Sequence, residues 1–109
     1  MDIQSLEKMI ETGRDSAMLR LTLAGALQQQ GALSPALEHL QSAVKQDPDY
    51  TAAWKALGRV HLELDDNDSA RKAWQQGIAV AEKRGDKQAQ KEMQVFLKRL
   101  DKAAAHSQK

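Results

Sequence analysis

Apolar side chains recur every three or four residues along most of this chain, and the runs break at glycine, proline or clustered polar residues. Ile3, Leu6, Met9 and Ile10 mark a first helix, with Asp2 as its cap and Gly13 suited to the left-handed residue after its end. A second helix, about 16–30, starts at Asp15 and carries Met18, Leu19, Leu21, Leu23 and Leu27 on more than one side, which predicts packing between neighbours. Gly31 breaks that run. Ser34 followed by Pro35 predicts the next start: a hydroxyl cap, then a proline whose missing N–H has no helical partner in a first turn. The third helix uses Ala36, Leu37, Leu40, Ala43 and Val44. It stops before Pro48, because the residue preceding a proline is pushed out of the α region.

Asp47-Pro48-Asp49-Tyr50 reads as a turn, and a fourth helix, about 51–64, presents Trp54, Leu57, Gly58, His61 and Leu62. Asp65, Asp66, Asn67 and Asp68 form a polar connection in which Asn67 or Asp68 is the expected cap. The fifth helix, about 69–83, turns Ala70, Ala73, Trp74, Ile78 and Ala81 inward and ends at Gly85. A sixth, about 87–102, sets Ala89, Met93, Phe96, Leu97 and Leu100 on one stripe, ahead of a frayed tail. Six helices and no strand predict an all-α fold.

The pattern also repeats. A step of 34 residues carries Leu23 to Leu57, Ala24 to Gly58, Leu27 to His61, Ala36 to Ala70, Leu40 to Trp74 and Ala43 to Gly77. Asp15 and Asp49, and Ser34 and Asp68, keep the same interval. The members that stay small suit a close approach of two antiparallel helices, and the large ones fill the space around them. With Trp54, Leu57, Gly58, Ala70, Trp74 and Gly77 at these offsets, the stretch resembles a tetratricopeptide repeat, strongly over about 17–82. It departs from that family at Arg20, where an aromatic is usual, at Asn67, and at Glu82, which answers Pro48 and lets the fifth helix run on.

The resemblance implies an α-solenoid of antiparallel helix pairs: an N-terminal helix (1–14), one repeat (15–49), a second (50–85), a capping helix (86–103) and a tail (104–109). Lys91 and Glu92 stand 34 residues after Leu57 and Gly58, so the sixth helix is expected to cap rather than to open a third repeat. It further implies a concave groove lined by the leading helix of each repeat. The positions are Met18, Leu21, Thr22, Gly25, Gln28 and Gln29, then Ala52, Lys55, Ala56, Arg59, Leu62 and Glu63. Lys55 and Arg59 share a helical face and suit a carboxylate of a bound segment; the alternative is a solvated face with Arg59 paired to Glu63. A full clamp on a peptide C-terminus also uses groove asparagines, and Asn67 lies outside the groove.

Composition narrows the function. Formal charge is +1, which exerts no global pull on nucleic acid or anionic membrane. Without cysteine there is no thiol or disulfide chemistry. The opening MDIQSLEK is charged where a signal peptide is apolar, and no run approaches the roughly 20 apolar residues of a span, so a cytoplasmic protein away from membranes is expected. His39, His61 and His106 share no metal spacing, and no phosphate loop or activated serine is recognisable. The expectation is a non-catalytic module without cofactor or metal that binds a protein or peptide segment, one of acidic character if the basic pair is used. Two alternatives stand beside it: self-association through an end helix, and weak RNA binding by residues 83–109, where basic side chains exceed acidic ones by five. Against the latter, Phe96 belongs to the apolar stripe and no aromatic is interleaved with those charges.

Overall fold

The computed structural model describes residues 2–107, and side chains through 103. All regular structure among the described residues is helical: α1 (Ile3–Glu11), α2 (Ala17–Gln29), α3 (Leu33–Gln46), α4 (Thr51–Glu63), α5 (Asn67–Arg84) and α6 (Lys87–Ser107). Consecutive helices pack on one another, and α2 with α4, then α4 with α6, also touch side by side. The stack measures 50 × 31 × 19 Å. An all-α solenoid of helix pairs is therefore the architecture.

The small residues lie where the repeat requires them. Ala24, Ala36, Ala43 and Ala70 are buried to within 1%. Leu6, Leu23, Leu27, Leu40, Leu57 and Val60 join Ala24, Ala36 and Ala73 in one core, while Ala70, Trp74, Ala81, Ala89, Met93 and Leu100 form a second. Trp74 is the largest fully buried side chain. Its indole Nε1 donates to the Lys55 carbonyl at 3.1 Å, and its ring lies 5.2 Å from Phe96 at a 45° tilt. Gly58 makes this possible, because a Cβ there would sit inside the indole. Gly77 likewise clears Met93 Sδ and Trp54 Cβ. Gly25, by contrast, has nothing within 4 Å of where its Cβ would be.

Turn chemistry decides where the helices start, and it corrects several expected caps. Gly31 and Asp65, one repeat apart, both take positive φ, 78° and 61°. The next residue then donates back to close the preceding helix, Ala32 N to Leu27 O and Asp66 N to His61 O, each at 2.9 Å. That same residue becomes the N-cap of the following helix. Hence α3 is capped by Ala32 without a side-chain bond, and Ser34 and Pro35 lie inside its first turn, where a missing N–H is still harmless. Asp66, not Asn67 or Asp68, caps α5 by accepting from Ser69 N. Gly85 and Asp86 repeat the device before α6. At α2 the cap is Ser16, accepting from Leu19 N. Asp15 is occupied instead by Arg20, at 2.8 Å from Nε and from Nη2, and by Gln46 at 3.1 Å.

The first unit thus replaces the usual aromatic with a polar tie. Trp54, one repeat later, sends its indole N–H to the Pro48 carbonyl at 2.8 Å; Arg20 instead reaches Asp15 on one side and His39 Nδ1 of α3 at 3.1 Å on the other. Helix α5 runs on to Arg84, as Glu82 in place of a proline permits, and Lys83 and Arg84 reach back to Asp49. Helix α6 continues to Ser107 where a tail was expected from about 103; residues 108 and 109 lie outside the described residues.

Two measurements check this packing. Gly58→Ala is expected to destabilise by about 1–3 kcal/mol through overpacking, and Trp74→Ala by about 3–5 kcal/mol. In the Trp74→Ala background the Gly58 methyl has room, so the two changes should couple strongly in a denaturation cycle; additive effects would disprove the contact.

Acid should weaken the fold by a calculable sign. Burial and then the Arg20 charge push the His39 imidazole below its usual value, against Glu7, Glu38 and Asp15, and burial does the same to His61 against Asp66. Arg20 can donate only to an unprotonated Nδ1. Asp15 stays ionised, held down to about 2 by hydrogen bonds from Arg20 and Gln46. The stability these histidines contribute is complete above the unfolded value, about 6.5, and is lost as pH falls through the lower folded values. Thermal melts should show a Tm that falls from pH 7 to pH 5 and falls less in His39→Gln/His61→Gln; equal slopes would refute the assignment.

Candidate peptide-binding groove

Helices α2, α4 and α6 stand side by side, each the leading member of its layer. On α2, Met18, Thr22, Gly25 and Gln29 form an exposed stripe at i, i+4, i+7 and i+11, and Met18 is 68% exposed. Thr22 turns its hydroxyl back to the Met18 carbonyl at 3.0 Å. Leu21 is half-buried against the first core. Gln28 crosses to α4, where its amide donates to the Glu63 carboxylate. On α4, Ala52, Arg59, Leu62 and Glu63 are exposed, while Ala56 is half-buried against the core.

The expected partnership of Lys55 with Arg59 is split by α6. Lys55 Nζ lies 3.2 Å from Glu92 Oε2, so this lysine already holds a carboxylate of the same chain. With Ala52 it borders a small cleft of about 190 Å³ against Asp86, Gln88, Ala89 and Glu92. Arg59 belongs to a different cleft of about 360 Å³, shared with Leu62 of α4, Trp74 of α5, and Phe96, Arg99, Leu100 and Ala103 of α6. Nor does Arg59 pair with Glu63, whose carboxylate Gln28 occupies. The walls are apolar apart from the two guanidiniums. Asp101 on the neighbouring face of α6 is held by Arg71 at 3.1 Å, which fastens α6 to α5.

Sequence reasoning missed the α6 wall because it looked for a third repeat at an interval of 34. A step of 36 carries Ala53 to Ala89 and Leu57 to Met93, all four buried, and aligns α6 with α4. The longer α5 accounts for the shift, and the stripe of Ala89, Met93, Phe96 and Leu100 was the signal available. His61 is half-buried on the other side of α4, in a shallow cleft with Trp54, Lys72 and Gln76, and takes no part in the groove. His106 lies outside the described side chains. The remaining described residues hold no group of three or more His, Cys, Asp or Glu placed for a metal ion, and no helix among them is long and apolar enough to cross a membrane.

Comparison with known proteins agrees with this geometry. The profile of the tetratricopeptide repeat family matches residues 29–94. TPR repeat-containing protein PA0015 of Pseudomonas aeruginosa is 50% identical over 103 residues, covering 94% of this chain and 98% of the relative. The solution structure of protein BPP2914 from Bordetella parapertussis superposes with a TM-score of 0.83 at 41% identity, over 96% of this chain and 91% of that one. A tetratricopeptide repeat domain protein from Salinibacter ruber gives 0.75 at 29% identity, over 79% and 87%. The chain therefore belongs to the tetratricopeptide repeat family, among its small bacterial members.

Proposed function

We propose that this protein is a non-catalytic interaction module that receives a peptide or helical segment of a partner protein along the concave surface of α2, α4 and α6. The observation that carries the reading is Gly25. A glycine inside a helix costs about 0.5–1 kcal/mol relative to alanine, and Gly58 and Gly77 offset that cost by admitting Trp74 and Met93. Gly25 admits nothing of its own chain. It leaves open space on the exposed stripe that begins at Met18, a surface onto which a second backbone can settle.

Pairing of two copies through the outer face of α6 is a second reading, favoured by Val95, 43% exposed beside Leu97. Lys91 and Lys98 border the same face and would meet their counterparts in a two-fold contact, which opposes it. Light scattering across concentration separates the two, with a monomer expected.

For the groove, partners captured from native lysate should be lost by Gly25→Leu, which fills that space, and by Leu62→Asp. The first is expected to leave Tm equal or higher, since leucine is the better helix former. Undiminished capture by Gly25→Leu would remove the concave surface from the function. Lys55→Glu is a poor probe, because it sets a carboxylate against Glu92 and loosens α6.

A further inference from the structure

Of the six arginines of this chain, three hold a group of the chain itself. Arg20 grips Asp15, Arg71 holds Asp68 and Asp101, and Arg84 donates to the Asp49 carbonyl. Arg59 and Arg99 come from different helices, border the same apolar cleft, and have no hydrogen-bond or ion-pair partner among the described residues. Nearby carboxylates are already engaged, Glu63 by Gln28 and Glu92 by Lys55. The cleft therefore keeps two unpaired guanidiniums over walls of Leu62, Trp74, Phe96 and Leu100. Its volume of about 360 Å³ suits a large side chain with its flanking backbone.

We propose that this cleft takes an acidic peptide segment, one that buries a large apolar side chain against Leu62, Phe96 and Leu100 while Arg59 and Arg99 pair with carboxylates beside it. The proposal rests on the groove reading above and gives its partner a chemistry. Planar guanidiniums match carboxylates with two parallel hydrogen bonds, and apolar walls strengthen such a pair by excluding water. A nucleic acid fits less well. Lys91 and Lys98, cations that a phosphate backbone would draw on beside the arginines, border a separate cleft.

The test is selection of random nine-residue peptides displayed on phage against the full chain and against Arg59→Gln/Arg99→Gln, both variants checked for unchanged Tm. Wild type should enrich Asp or Glu within two positions of Leu, Phe, Trp or Met. The variant should keep the apolar preference, lose the acidic one, and bind the wild-type peptides at least tenfold more weakly. Changing Glu to Gln in a selected synthetic peptide should cost the same factor on wild type and nothing further on the variant. Amide shift mapping separates the failures. Peptides that settle on α2 and α4 without regard to charge would overturn the acidic specificity and leave the groove reading standing. Peptides that map to α1 and α3, or no selection at all, would sink both. A single-stranded oligonucleotide that binds the cleft and is lost on the same double substitution would overturn the peptide assignment.

Discussion

The second half of this molecule is organised by one contact, the indole of Trp74 laid directly on Gly58 and backed by Phe96. It joins α4, α5 and α6 through a single side chain. A residue this large can be 1% exposed in a 109-residue chain only if its neighbours yield volume and its N–H finds an acceptor. Gly58 yields the volume, and the Lys55 carbonyl is the acceptor. The first unit has smaller parts at the matching positions, Leu40 and Ala24 in one core. It adds the Asp15, Arg20, His39 and Gln46 network instead, whose strength depends on pH because one member is an imidazole.

The same indole is part of the wall of the cleft that Arg59 and Arg99 border. Core and candidate site therefore share a boundary: whatever seats Trp74 and Phe96 also shapes the surface offered to a partner. The charges divide along similar lines. Lys55 with Glu92, and Arg71 with Asp101, lie at the edges of α6 and hold it in place. Such exposed pairs contribute modestly one by one, and their value is in setting the position of α6 against α4 and α5. Arg59 and Arg99 are left for other use.

Much of this was legible along the chain. Helix number and type followed from apolar periodicity, and the small residues of the repeat mapped onto helix contacts because only Gly or Ala tolerates backbones at that distance. Caps were harder to read. Ser34, Asn67 and Asp68 all have the right chemistry, but the left-handed residues Gly31 and Asp65 set the start of each helix one or two residues earlier. The choice among several polar residues belongs to the turn rather than to propensity. Asp15 shows the other route to error, since a carboxylate fit to cap was drawn to Arg20 by a stronger charge-assisted bond.

From the residues alone came the all-α class and the two nested hairpins, since these depend on local spacing and side-chain size. Tertiary structure decided what lies beyond one helix pair: that α6 packs on α5 and touches α4, that Lys55 is spent on Glu92, and that Arg99 borders the same cleft as Arg59. The reason is geometric. Residues 40 apart meet only after α5 has fixed the length and tilt of the return, and no local pattern encodes that distance.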